Sequence, residues 1–335
     1  MDLKLALSLD DVLLVPQYSE VISRKDVDLS TDLGRGVVLR IPIISSNMLH
    51  CTGTKMALEI DKLGGLAVLH RFKSYNEIIN DCNTFSFFNK NVVISVGVKS
   101  YDYEFVDSLS KLGCGKYCVD VAHGDHILCI DMVKYIRSKS PDALIIAGNV
   151  ATGKGALRLY KAGADVIKAN VGSGSVCLTR IEAGNGVPSI TALEDCYNAS
   201  ISNSGSRLFR IIADGGIRTG GDIIKSLVFS DAVMLGNLLA ASDESPGDIV
   251  EINGTSYKEY AGSSTLKNTN IEGVAGYVKC KGPVAKIIKS LLEGVASGCS
   301  YQGARNIDEL KGAEFVRVTN SGLIESHAHD IMLKK

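Results

Sequence analysis

The sequence predicts an α/β protein, a single (β/α)8 barrel with a lid-like insertion after its eighth strand, and three observations carry that expectation. Eight short apolar runs lie between residues 42 and 237, helical patterns separate them, and run after run ends in groups able to do chemistry. Near-continuous apolarity marks strands covered on both faces, as in an all-parallel sheet. A length of 335 residues suits one such barrel and one large core. A doubly wound open sheet is the competing α/β form. It calls for a glycine fingerprint directly after an early strand, whereas the glycine-rich loop here follows the sixth.

In order, the runs are PIISSNM (42–48), GGLAVLH (64–70), VVISVGV (92–98), YCVDVAH (117–123), ALIIAGNV (143–150), VIKANVG (166–172), RIIADGGI (210–217) and AVMLGN (232–237). Helical spacing is read in EFVDSLSKLG, HILCIDMVKYIRS, GALRLYKAG and GGDIIKSLV, several closed by a glycine suited to a C-terminal cap. Strand ends present Ser46-Asn47-Met48, His70-Arg71, Asp120 and His123, Asn149, the loop after residue 172, Asp214-Gly215-Gly216 and Gly236-Asn237. Barrel enzymes keep their sites at these ends, with phosphate cradled after strands seven and eight. Taken singly, Asn47, Asn149 and His123 read equally as turn formers.

Residues 243–282 interrupt the barrel rhythm with glycine and short alternating runs, the pattern of a hairpin and a lid. Topology lays that insertion over the catalytic face, which puts its Tyr260, Gly262, Ser263 and Glu272 within reach of a bound ligand, although Glu272 also reads as an ordinary solvated carboxylate. Helix resumes at PVAKIIKSLLEGVASG, and a tail at 320–335 contains GLIESHAHD, with two of the six histidines. The whole of 1–335 is read as one catalytic domain.

A formal net charge of -1 gives no electrostatic reason for a nucleic acid or an anionic membrane as partner, so any anion site is local. No apolar run is long enough to span a bilayer. Nine cysteines, at 51, 82, 114, 118, 129, 177, 196, 280 and 299, are an odd number without a disulfide framework or a leader, which predicts free thiols in a reducing cytoplasm. Cys114 and Cys118 lack a second pair at zinc spacing.

The stretch Gly172-Ser173-Gly174-Ser175-Val176-Cys177-Leu178-Thr179-Arg180 reads as the active site. Glycines at 172 and 174 free the backbone to turn its N–H groups toward an anion, and Ser175 adds a hydroxyl. Arg180 beside Cys177 is expected to favour the thiolate. A Gly/Ser turn next to an inert cysteine is the bland alternative for this string alone.

From about residue 6 to its end, the chain resembles the inosine monophosphate dehydrogenase and guanosine monophosphate reductase family. DDVLLVPQYSEV, GNVATG, GSGSVCLTR, ADGGIRTGGDI, AVMLGNLLAASDESPG, YKEYAGSS and EGVAGYVKCKGPV resemble family blocks and occur in the family's order. The resemblance implies that Cys177 attacks C2 of a purine nucleotide and that hydride is exchanged between that carbon and a nicotinamide. It implies Asp214 on the ribose diol, Ser175, Gly216, Gly236 and Tyr260 around the 5′-phosphate, and Met48 and Gly262 bordering the base. Thr179 and Glu272 would transfer protons, while Arg71, Asp120 and Asn149 would handle the cofactor. Carbonyls of Gly172, Gly174 and Cys177 would hold a monovalent cation such as K+, completed by Glu325, Ser326 and His327 from a neighbouring subunit. Members are commonly homotetramers.

Two absences separate the branches. The third strand opens at residue 92, soon after His70, leaving no room for the paired regulatory module usual in dehydrogenases. Only Thr265-Leu266-Lys267-Asn268-Thr269-Asn270-Ile271 separates Ser264 from Glu272, where dehydrogenases carry a long flap with an Arg-Tyr pair. VPSITAL and the tail resemble bacterial dehydrogenases instead, and Asn170, Asn237 and Ser263 depart from the family's usual glycine, serine and methionine. The expectation is an NADPH-dependent reductase converting GMP to IMP and ammonia. The alternatives are an NAD-dependent IMP dehydrogenase without its regulatory module and a purine-nucleotide-binding protein with little turnover.

Overall fold

In the computed structural model, which describes residues 3–262, 273–328 and 331, eight parallel strands close into a barrel. They are β1 (Ile43–Ser45), β2 (Leu66–Leu69), β3 (Val92–Val96), β4 (Lys116–Asp120), β5 (Leu144–Val150), β6 (Val166–Ala169), β7 (Arg210–Asp214) and β8 (Ala232–Leu235). Each pairs with the next, and Val233 of β8 lies in register with Ile43 of β1, which closes the ring. The eight runs read from the sequence are the eight barrel strands.

The period of two along each strand sorts side chains into two cores. Ile44, Val68, Val93, Cys118, Ile146, Val166, Ile212 and Met234 point inward and fill the barrel, each at most 1% exposed. Their neighbours, such as Ile43, Ile94, Ile145, Ile167 and Ile211, face the surrounding helices. At the N-terminal end, a small hairpin (Thr31–Asp32 with Val38–Leu39) inserts Leu33 and Leu39 into the inner core as a plug. Chemistry is thereby left to the opposite end, where the interior turns polar.

The helices follow the same logic. In Gly153–Ala162, Thr152 caps the start by accepting from the Gly155 N–H at 3.2 Å, and Gly163 ends it at φ +116°. Ala156, Leu159 and Ala162, three residues apart, form the buried face.

After β8, Ile249–Ile252, Thr255–Ala261 and Ala275–Lys279 form a three-stranded antiparallel sheet. Asn253 and Gly254 turn the first hairpin with φ of +50° and +71°. The buried Lys258 ammonium anchors the sheet by donating to the carbonyls of Ser242, Asp243 and Ser245 at 2.8, 3.3 and 2.6 Å. The sheet also reaches the glycine-rich loop, where the Val274 N–H donates to the Val176 carbonyl at 2.9 Å and Gly273 pairs with Cys177.

The N-terminal segment crosses the same end of the barrel. The Leu7 carbonyl accepts from the N–H groups of Ile190 and Thr191 while its own N–H donates to Thr191 Oγ1, Lys225 donates to the Leu9 carbonyl, and Val12–Leu14 pairs antiparallel with Phe315–Arg317. Asp10 forms an ion pair with Arg218. Among the described residues, no helix is long and apolar enough to cross a membrane.

Candidate functional site

The strand ends converge on two cavities that share a wall. The smaller, about 220 Å3, is lined by Cys177 and Thr179 together with Arg71, Asp120, Asn149 and Gly262. The larger, about 420 Å3, is lined by Ser175, Gly216, Gly236 and Asn237, with Ser8, Asp10 and Arg218 at its edge. Met48, Gly172, Gly174, Asp214 and Tyr260 line both, so they form one cleft with a polar cradle at one end and the thiol toward the other. Sequence reading assembled this set, apart from Ser8, Asp10 and Arg218, from eight separate stretches, and the fold brings them together.

Within the loop, Gly172 adopts φ +79°, and a Cβ there would collide with the Arg180 side chain at 2.5 Å. Gly174 has no such φ, so only the first of the two glycines needs the left-handed conformation. Arg180 departs from its expected role. Its Nε and Nη2 donate to the carbonyls of Val171 and Val187 at 3.1 and 2.7 Å. The guanidinium therefore staples the base of the loop, and the hydrogen-bond partner of Cys177 is Thr179, with Sγ and Oγ1 3.1 Å apart.

On the cradle side, a Cβ on Gly236 would come within 2.6 Å of the Tyr260 hydroxyl, so that position admits no side chain without displacing the phenol. The hydroxyl donates to Met48 Sδ at 3.3 Å, and burial holds the Tyr260 phenol above its usual pKa. On the other side, Asn149 Nδ2 donates to Asp214 Oδ2 at 2.9 Å and to the Asn170 carbonyl at 3.0 Å. Asn170 itself sits at φ +97°, a conformation that asparagine tolerates best after glycine, which accommodates the departure seen in the sequence.

Lys168 lines the cleft and was not singled out from the sequence. Its Nζ is 2.9 Å from Asp120 Oδ1, 3.4 Å from Asn47 Oδ1 and 3.5 Å from Asp214 Oδ2. The available signal was a lysine inside an apolar strand run, a position such residues almost never occupy unpaired. Asn47 is thus a ligand of that ammonium and not a turn former.

His70 is buried, and burial pulls its imidazole down to about 4, so it is neutral near pH 7. Its Nδ1 accepts from the Phe72 N–H at 3.1 Å. His123 is exposed and lines neither cavity. Ser263 and Glu272 lie outside the described residues. Glu325, Ser326 and His327 are exposed at the end of a tail helix (Asn320–Glu325) and line neither cavity of their own chain. The Gly174 carbonyl already accepts from the Cys177 N–H at 3.0 Å.

All nine cysteines are free, and seven are buried. Burial pushes Cys51, Cys82, Cys118, Cys129 and Cys196 up to about 12, and Cys114 and Cys299 up to about 11. Brief alkylation near pH 7.5, mapped by peptide mass spectrometry, is expected to label only Cys177 and Cys280 in the folded protein. Early labelling at any of the seven would contradict their burial.

The comparisons with known proteins point one way. The model of the IMP dehydrogenase / GMP reductase domain matches residues 6–329. A GMP reductase of Streptococcus pyogenes is 36% identical over 324 residues, covering 93% of this chain and 95% of the relative. An inosine-5′-monophosphate dehydrogenase of Borreliella burgdorferi is 33% identical over 399 residues, covering 98% of each. Among solved structures, a GMP reductase of Trypanosoma brucei in complex with guanosine 5′-monophosphate superposes with a TM-score of 0.87. It is 29% identical, and the match covers 98% of this chain and 99% of that one. With a matching family model over nearly its whole length and a barrel that gathers the family's blocks into one cleft, the chain belongs to the IMP dehydrogenase / GMP reductase family.

Proposed function

We propose that the protein is a GMP reductase, converting GMP and NADPH to IMP, ammonia and NADP+ through a covalent adduct on Cys177. The observation that carries this reading is the Cys177–Thr179 pair at 3.1 Å, set in a cleft with a backbone-rich cradle on one side and Asp120, Asn149 and Arg71 on the other. The named reductase relatives, the GMP in complex with the structural neighbour and the short Thr265–Ile271 connector favour the reductase branch.

In this reading the Cys177 thiolate adds to purine C2, and the C2–N bond then breaks. The departing nitrogen cannot leave as an amide anion, so Thr179, relayed by Glu272, delivers its proton and ammonia is released. NADPH, when bound, supplies the hydride that C2 receives, after which the C–S bond breaks and the thiolate leaves. Asp214 and Met48 orient the ribose and base, and Ser175, Gly216, Gly236 and Tyr260 hold the phosphate.

The chain's residues fit such a cofactor. Beside Cys177 the smaller cavity offers the carboxylate of Asp120, the amide of Asn149 and Arg71, whose buried Nε has no hydrogen-bond partner and lies 3.9 Å from Asp120. An unpaired buried donor suits a ligand acceptor. Free thiols throughout support a reducing, cytoplasmic setting. The exposed tail, which lines neither cavity of its own chain, supports sharing of Glu325, Ser326 and His327 across a homotetramer, at a K+ site formed with the carbonyls of Gly172, Gly174 and Cys177.

IMP dehydrogenase with NAD is the second reading, favoured by the named dehydrogenase relatives at 30% and 33% identity. A nucleotide-binding protein with little turnover is the third. A thermal-shift series with GMP, IMP and XMP, followed by NADPH absorbance, separates them. GMP at a hundredfold excess over its Kd is expected to stabilise by about 2.7 kcal/mol. Cofactor oxidation with stoichiometric ammonia should follow, and GMP should protect Cys177, not Cys280, from alkylation. Stabilisation with neither NADPH oxidation on GMP nor NAD reduction on IMP would make the protein a binder.

A further inference from the structure

Lys168 follows Val166 onto the inward face of β6, at the level where the apolar interior of the barrel gives way to polar strand ends. It is 2% exposed, too enclosed for bulk solvent to stabilise its charge. Its partners come from strand ends widely separated in sequence: Asp120 closes β4, Asp214 closes β7 and Asn47 follows β1. One ammonium therefore ties together the carboxylate assigned to the cofactor side and the one assigned to the ribose.

Asp214 is oriented by these bonds. Its Oδ2 is taken by Asn149 Nδ2 at 2.9 Å and by Lys168 at 3.5 Å, whereas Oδ1 has no hydrogen-bond partner among the described residues. Burial acts to lower the pKa of Lys168, but Asp120 and Asp214 outweigh it and hold the ammonium above its ordinary range. For Asp120 burial acts upward, and Lys168, with Asn47 and Arg71, more than reverses it. Cys118 also faces Lys168, and burial pushes it to about 12, so it contributes no charge near pH 7.

We propose that Lys168 is a positioning residue that joins the two halves of the cleft, bridging Asp120 and Asp214 and aiming the open oxygen of Asp214 at the nucleotide ribose. Without the ammonium, two half-buried carboxylates of like charge converge on one point, and their repulsion is expected to turn Asp214 out of that orientation. This inference rests on the ribose role of Asp214 in the proposed function.

The test is calorimetric GMP binding, without nicotinamide, for the wild type, Lys168→Met, Asp120→Asn and the double variant, with thermal unfolding as a check on folding. Lys168→Met is expected to weaken GMP roughly ten- to a hundredfold. Adding Asp120→Asn should recover most of that loss, because it removes the charge that Lys168 had balanced; a lysine that merely packs the barrel would show no such rescue. If the wild type does not bind GMP, the functional reading fails. If the wild type binds and Lys168→Met binds equally well, or the double variant fails to regain affinity over Lys168→Met, the inference is overturned.

Discussion

Cys177→Ala is expected to abolish GMP reduction, with kcat falling by roughly four to six decades, while GMP still binds. In the proposed reaction the thiol makes the bond to C2, and among the described residues no other cysteine lines the cleft. The larger cavity, with Ser175, Gly216 and Gly236, remains intact in the variant, so affinity should change little. Single-turnover measurements with GMP and NADPH, paired with calorimetry on the same preparation, check both halves. Retained turnover would remove covalent catalysis from the account. Lost binding would place the sulfur in ground-state recognition and leave its chemical role unproven.

The second large effect concerns direction. Supplied with GMP and NADPH, the enzyme should oxidise cofactor continuously and release one ammonia per turnover. Supplied with IMP and NAD, it should form XMP no faster than spontaneous hydrolysis of a Cys177 adduct allows. The reason lies in the seven residues between Ser264 and Glu272, too few to carry an Arg-Tyr flap onto the adduct. A positioned base contributes roughly two to four decades, so the two rates should differ by at least that range. Comparable sustained rates in both directions would assign the protein to the dehydrogenase branch, and Lys267 and Tyr277 would then be the first bases to replace.

Much of the fold was legible because its signals are local. A buried parallel strand must be apolar on both faces, so each of the eight announced itself within six or eight residues, as VVISVGV does for Val92–Val96. Capping is equally local, and GALRLYKAG closes on Gly163 as its pattern implies. The N-terminal plug was not legible: Leu33 and Leu39 enter the inner core from a hairpin of two-residue strands whose pattern is too short to mark it. Arg180 shows the limit for the site. Its proximity to Cys177 in sequence suggested thiolate stabilisation, and the turn of the loop directs it to the carbonyls of Val171 and Val187 instead.

By itself the sequence determined the barrel, the order of its strands, the glycine-rich cysteine loop and the strand ends that line the cleft, because periodicity and turn chemistry act between near neighbours. The tertiary structure alone decided which polar groups meet. Lys168, Asp120, Asp214 and Asn47 come from positions 47 to 214, and nothing local to any of them specifies a common point. Closure of the ring by β8 against β1 brings them together, and the low-dielectric interior then leaves a lysine no solvation except those partners.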